Sequence, residues 1–228
     1  MFFFGPFTWL ILLIFLATLL IQGWLQNTYA AYSRVANRRG LTGAAAARAL
    51  LDSEGLTQVR IEAIPGALTD HYDPVKKVLR LSQPNYASAS VAAVAVAAHE
   101  TGHAIQDARR YPWLVVRHQI LPAAQIGSNL GPWLFLIGLM IGALGLAKLG
   151  LYLFGAAALF QLVTLPVELD ASRRALAKLK SLALLDPDEL PGARKVLTAA
   201  AFTYVAALAM SLAYLLQYAA ILGGARRD

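Results

Sequence analysis

Long uncharged apolar runs separated by polar segments are the main pattern along this chain. The first run extends from about Phe2 or Phe7 to Leu25 without a charge, and a run of that length predicts a membrane-spanning helix. Its start, MFFFGPF, lacks the basic residues of a cleaved signal peptide. We therefore expect residues 1–25 to form a retained transmembrane anchor.

A second apolar stretch runs from Asn129 to Pro166, interrupted by a single charge at Lys148 and by Gly145 and Gly150. A helix rises about 1.5 Å per residue, so this stretch is too long for one crossing. It predicts two helices of about 18 residues each, joined in a tight transmembrane hairpin.

The last apolar run covers residues 199–222 and is rich in Ala, with tyrosines that suit membrane interfaces. It predicts a further span, followed by a short tail at residues 223–228. The count is then about four spans. The predicted fold class is mainly α, a multi-pass α-helical membrane protein.

Two polar segments, residues 26–128 and 167–198, connect these runs. Within residues 58–82 the stretches VRIEAI, LTDHYDP and VKKVLRLS show alternating hydrophobicity and turn residues. These features favour two or three short antiparallel strands. The longer polar segment is therefore expected to hold a small α+β portion.

Composition and charge fit a membrane protein and orient it. The chain is 58% hydrophobic and 14% charged, which excludes an ordinary soluble domain. Of its 20 basic residues, 17 fall in the polar connections around residues 26–129 and 168–198. With four spans these connections share one side, which the positive-inside rule makes cytoplasmic. The net charge of +7 then indicates contact with anionic lipid headgroups rather than with nucleic acid.

The motif with the most specific chemistry is H-E-T-G-H at residues 99–103. It lies in an Ala-rich run without Pro, which predicts a helix. Histidines four residues apart share one helix face, so His99 and His103 could bind one zinc ion. Glu100 could then act as the general base on a water molecule. The alternative is a pair of buried histidines with a structural role.

The chain has no cysteine, so a third metal ligand must be His, Asp or Glu. We expect Glu168, because it lies where the chain leaves a membrane span on the side that carries the motif. A carboxylate at the end of an apolar span is otherwise unfavourable. The alternative is an interfacial acid paired with Arg173 or Arg174.

Three further residues are candidates for supporting roles. Asp170 could orient a ligand histidine or form a structural salt bridge. His71 and Tyr72 could approach the site and stabilise an oxyanion. The alternative for both is a simple turn that begins at Asp73.

Four segments together resemble the YugP-like neutral zinc metallopeptidase family of bacterial membranes. They are LTDHYDP at 68–74, VAAHETGHAIQ at 96–106, LPVELDASRRAL at 165–176 and VLTAAAFTYVAA at 196–207. The resemblance implies a protease of the bacterial inner membrane that binds one zinc ion per chain. By this resemblance the ligands are His99, His103 and Glu168, a gluzincin-like set, with Glu100 as the base.

A more distant similarity links the chain to membrane proteases of the HtpX type. Those proteins usually carry an Asp four residues after the ligand Glu, whereas this chain has Ser172 there. The expected fold is thus a four-span protein with a small zincin-like α+β portion.

The expected function is a zinc endopeptidase that hydrolyses membrane or unfolded proteins near the bilayer, with its site on the cytoplasmic side. One alternative is a peptidase for lipoproteins or prenylated proteins. Another, of a different class, is a non-catalytic scaffold with a structural metal site. A zinc transporter would need polar ligands at mid-membrane, and the spans offer almost none.

Overall fold

Helices dominate the computed structural model, which describes residues 5–224. In chain order the elements are α1 (Thr8–Ser33), α2 (Gly43–Ser53), β1 (Arg60–Ile64), β2 (His71–Asp73), β3 (Val78–Ser82), α3 (Gln83–Ala87), α4 (Val91–Ala108), α5 (Pro112–Met140), α6 (Leu144–Ser181) and α7 (Leu190–Gly224). The expected mainly α class with a small sheet is confirmed.

Four helices, α1, α5, α6 and α7, are long and apolar enough to cross a membrane. This number agrees with the four expected spans. The helices are longer than the apolar runs, because a helix can continue into the polar residues that follow or precede an apolar run. For example, α1 continues through polar residues to Ser33, and α5 begins at Pro112, a residue favoured at the first helical position. Residues 1–4 of the expected anchor and 225–228 of the expected tail lie outside the described residues.

The described chain divides into two units. The apolar unit consists of residues 5–21, 112–166 and 203–224, and the polar unit consists of residues 22–111 and 167–202. The division falls inside α1, α6 and α7, so each of these helices contributes to both. Every site residue expected from the sequence belongs to the polar unit.

In the apolar unit, α5 and α6 approach closely at small residues. They are joined by residues 141–143, where Gly142 has a φ of 71°. A Cβ added at Gly127 would lie 1.9 Å from the carbonyl oxygen of Leu153, and one at Gly131 would lie 2.9 Å from the amide of Phe154. Glycines four residues apart on one face permit this backbone contact, as is common between membrane helices.

A buried amide joins α7 to the start of α1 within the same unit. Gln217 is 6% exposed. Its Oε1 accepts a hydrogen bond from the Phe7 amide at 2.8 Å, and its Nε2 donates to the Thr8 hydroxyl at 3.2 Å. The side chain is therefore satisfied, as a polar group in an apolar surrounding must be.

Helix α4 runs through the core of the polar unit. It begins at Ser90, whose hydroxyl accepts a hydrogen bond from the Ala93 amide at 3.2 Å, and most of its residues are buried. One cluster packs α4 against α2, α6 and α7, and a second packs it against α2 and the sheet. Its many alanines allow neighbouring backbones to come close on several sides.

The sheet differs from the expected antiparallel arrangement. Strand β3 is central, and it pairs antiparallel with β2 but parallel with β1. After β1 the chain crosses to the far side of β3, forms β2 and returns through a tight turn, where Lys77 has a φ of 51°. Alternating hydrophobicity indicates a strand but not its direction, which explains the error.

A carboxylate at the end of α2 connects three helices. Glu54 accepts a hydrogen bond from Arg109, just after α4, at 2.5 Å, and also pairs with Lys178 on α6. Burial alone would raise the pKa of Glu54, but the hydrogen bonds from Lys178 and Arg109 outweigh it and lower this pKa. The ion pairs thereby help to hold the end of α4 beside α6.

Helices α4 and α6 come close together at Gly102. A Cβ at this position would lie 2.6 Å from the carbonyl oxygen of Ala171. We therefore predict that Gly102→Ala lowers the free energy of unfolding by about 1–3 kcal/mol, the usual effect of overpacking. The measurement is the thermal melting midpoint in detergent.

The matched control is Gly23→Ala in α1, where nothing lies within 4 Å of an added Cβ. That change should be neutral, or should stabilise by up to about 1 kcal/mol through helix propensity. Equal melting midpoints for the two variants would contradict a close contact between α4 and α6.

Candidate metal centre

Two helices of the polar unit supply three metal-binding side chains to one point. His99 and His103 lie one turn apart on α4, with ring centroids 4.8 Å apart and planes at 85°. Glu168 lies on α6, and its Oε2 is 3.2 Å from Nε2 of His99 and 3.4 Å from Nε2 of His103. The ligand atoms of the three residues all lie within 4.8 Å of one another.

These separations fit a zinc ion. Tetrahedral ligand atoms about 2.0–2.1 Å from zinc lie roughly 3.3 Å from each other, and the two nitrogen-to-oxygen separations bracket that value. Two imidazoles and one carboxylate are also a common catalytic zinc set. Among residues 5–224 the cluster has three members, so a zinc ion held there would have a fourth position for water or substrate.

The three side chains of the cluster are largely buried, but the two histidines keep some solvent exposure. The side chain of Glu168 is 3% exposed, whereas those of His99 and His103 are 15% and 12% exposed. Burial of a carboxylate beside two imidazoles costs free energy unless cations or hydrogen bonds compensate it. A bound divalent cation would supply that compensation at this point.

Glu100 follows His99 on α4 and is almost buried, at 8% exposure. Burial raises the pKa of Glu100 to about 7, and the charges of Glu168 and Asp70 act in the same direction. The electrostatic interaction with His99 and a hydrogen bond from the Tyr72 backbone amide lower the pKa of Glu100. This carboxyl group is thus placed beside the three candidate ligands without being one of them.

Each histidine has a polar partner at its other ring nitrogen. Nδ1 of His99 is 3.1 Å from the hydroxyl of Ser172, and Nδ1 of His103 is 3.0 Å from Oε1 of Gln106. Such partners orient ligand histidines in zinc sites. Nδ1 of His99 therefore meets a hydroxyl, that of Ser172, and not a carboxylate.

Asp170 forms a salt bridge with Arg174, one of the two roles expected for it, and does not contact a ligand histidine directly. Its Oδ2 accepts hydrogen bonds from Nε2 of Gln106 at 2.9 Å and from Arg174 at 2.5 Å. It thus reaches His103 only through Gln106. Sequence reasoning missed Gln106, although its place three residues after His103, on the same helix face, was a usable signal.

The structure places His71 and Tyr72 on the edge strand β2. His71 is exposed, with Nδ1 2.9 Å from the Thr69 carbonyl oxygen. The Tyr72 hydroxyl donates to Asp107 at 2.7 Å. Burial and Asp107 raise the pKa of Tyr72. Neither side chain belongs to the metal cluster, and the oxyanion role stays a prediction for both.

The sequence is similar to a described protein family and to a named bacterial protein. Residues 7–223 match the family model described as "Putative neutral zinc metallopeptidase". The protein described as "Putative membrane protease YugP" from Bacillus subtilis (strain 168) is 46% identical over 210 residues, which cover 90% of this chain and 93% of that protein. No solved structure matches the chain significantly.

Removal of a cluster histidine should abolish the stabilisation that zinc gives. A ligand that binds only the folded state raises stability, by about 2.7 kcal/mol at a concentration 100 times its dissociation constant. We predict that added zinc raises the melting midpoint of the parent protein and of His71→Ala, but not of His103→Ala. A zinc-induced rise that survives in His103→Ala, or that disappears in His71→Ala, would contradict the assigned cluster.

Proposed function

This chain belongs to the neutral zinc metallopeptidase family, and we propose that it is a membrane-embedded zinc endopeptidase. The observation that carries the proposal is the meeting of His99, His103 and Glu168, with Glu100 beside them. Three protein ligands plus an adjacent carboxylate suit catalysis, whereas a structural zinc site is closed by a fourth protein ligand.

The proposed catalytic roles follow from the chemistry of each group. His99, His103 and Glu168 would hold one zinc ion, which would supply a Lewis acid that polarises a peptide carbonyl and acidifies a water molecule. Glu100 takes the proton of the attacking water and returns it to the leaving amine. Its near-complete burial keeps bulk water from competing for that proton.

The oxyanion that forms during peptide hydrolysis needs a hydrogen-bond donor. Of the two residues expected for this role, His71 is exposed on β2, but its Nδ1 donates to the Thr69 carbonyl oxygen and its Nε2 lies 3.4 Å from the Arg80 guanidinium. The hydroxyl of Tyr72 is already donated to Asp107. Each side chain would have to give up a present hydrogen bond to serve the oxyanion, so we keep His71 and Tyr72 as equal candidates for this role.

An extended peptide is the proposed form of the substrate. Strand β2 is an edge of the sheet, and the Tyr72 amide on this strand lies against Glu100. An edge strand can bind an extended chain through main-chain hydrogen bonds with little dependence on sequence. This supports unfolded segments and membrane proteins near the bilayer as the substrate class, in a zincin-like arrangement.

The cytoplasmic side of a bacterial inner membrane is the proposed location. The support is the set of four spanning-length helices together with the concentration of basic residues in the polar connections. The same basic residues would contact anionic headgroups.

Of the alternatives, a peptidase for lipid-modified substrates would differ in requiring the lipid for cleavage, and a non-catalytic scaffold would not need Glu100.

The direct test replaces Glu100 with its uncharged isostere. We predict that Glu100→Gln lowers the rate of cleavage of a fluorescent unfolded protein by at least about 10²-fold, the usual contribution of a general base. Zinc content should stay at the parent level, because Glu100 is not a ligand. The matched control is Glu62→Gln on β1, which should cleave at the parent rate. Full activity of zinc-loaded Glu100→Gln would overturn the proposed mechanism.

A further inference from the structure

A glutamine buried between the two ligand helices carries an inference beyond the ligands themselves. Gln106 is on α4, one turn after His103, and it has no exposed surface. An amide taken out of water costs free energy unless its donors and acceptor are all bonded. The contacts of Gln106 meet this demand on both sides of the amide.

The nitrogen side of the amide faces two acceptors on α6. Nε2 donates to the carbonyl oxygen of Val167 at 2.8 Å and to Oδ2 of Asp170 at 2.9 Å. If the amide were turned by 180°, its oxygen would face these two oxygens and both hydrogen bonds would be replaced by repulsion. The amide orientation is therefore fixed by α6.

The oxygen side then determines the tautomer of His103. Oε1 of Gln106 is 3.0 Å from Nδ1 of His103, and an amide oxygen only accepts. Nδ1 of His103 must therefore carry a hydrogen. In the neutral imidazole the lone pair is then on Nε2, the atom 3.4 Å from Glu168.

This arrangement prepares the ring to bind a cation. A lone pair on Nε2 of His103 would face an oxygen of Glu168 that also carries lone pairs. Two acceptors this close are unfavourable unless a proton or a metal ion lies between them. The consequence is that Gln106 directs the binding electrons of His103 towards the place where the ligands meet.

His99 is held differently. Its Nδ1 is 3.1 Å from the Ser172 hydroxyl, and a hydroxyl can either donate or accept. Ser172 thus fixes the position of the ring but not its tautomer. The amide of Gln106 is the more restrictive of the two partners.

We propose that Gln106 is a positioning residue that fixes the Nδ1-protonated tautomer of His103 and so sets the affinity of the centre for zinc. The inference rests on the proposed zinc centre. A purely structural role, in which Gln106 only ties α4 to α6, predicts a different result, because it involves the two donated hydrogen bonds and not the accepted one.

Two substitutions separate these roles. Gln106→Met keeps the length of the side chain but removes every hydrogen bond. Gln106→Glu keeps an oxygen that accepts from His103 but loses both donors to α6. The control is Gln217→Met, which removes a similarly buried and bonded amide from the apolar unit. Zinc affinity is measured on each detergent-purified full chain by competition with a chromogenic chelator, and the melting midpoint is measured without zinc.

We expect Gln106→Met to weaken zinc binding about 10- to 100-fold, the usual effect of losing such a partner. Gln106→Glu should bind zinc at least as tightly as the parent, although its melting midpoint falls. Gln217→Met should lose thermal stability and keep parent affinity.

Parent affinity in Gln106→Met, or equal loss of affinity in the Met and Glu variants, would overturn the proposal. If Gln106→Met does not fold, the Glu variant decides alone, since weakened zinc binding there would overturn the tautomer role. A parent protein that binds no zinc would instead overturn the proposed function, so the two failures are distinguishable.

Discussion

The close packing of α4 against α6 is the constraint on which the candidate site depends. The two histidines are on α4 and the carboxylate is on α6. Glu168 follows His103 by 65 residues along the chain. Gly102 lets the two backbones approach to a distance that a side chain would prevent. Glu54 and Gln106 then hold the same pair of helices by an ion pair and by hydrogen bonds. The three metal-ligand atoms lie close together because these contacts fix the positions of both helices.

Uncharged groups hold the two histidines, whereas many zinc sites use a carboxylate for this purpose. Ser172 and Gln106 orient the two imidazole rings without adding negative charge. Asp170 accepts hydrogen bonds from Gln106 and Arg174 and does not contact either histidine directly. A carboxylate next to a ligand histidine makes the ring a stronger donor and lowers the residual charge on the metal. Neutral partners would therefore leave a bound zinc ion more strongly polarising, which suits the proposed hydrolysis of a peptide bond.

Features that depend on short-range pattern could be predicted from the sequence. The four long apolar helices and the helix of the H-E-T-G-H motif follow from composition and periodicity, and Glu168 could be singled out because a carboxylate at the end of an apolar span needs a reason. Features that depend on which elements become neighbours could not be predicted. One example is the parallel pairing of β1 with β3. Others are the contacts of Gln106 with α6 and the hydroxyl of Ser172 beside His99. Each depends on where a segment distant in sequence lies in the fold. Tyr72 shows the same limit, because only the fold brings its hydroxyl to Asp107.

In the proposed centre, α4 and α6 together form one open zinc site with three protein ligands. Its most direct test is the zinc content of the detergent-purified protein, compared with that of Glu168→Ala and Glu100→Gln. We expect one zinc per chain in the parent, its loss in Glu168→Ala and its retention in Glu100→Gln. Full zinc occupancy without Glu168, or no zinc in any form of the protein, would contradict it.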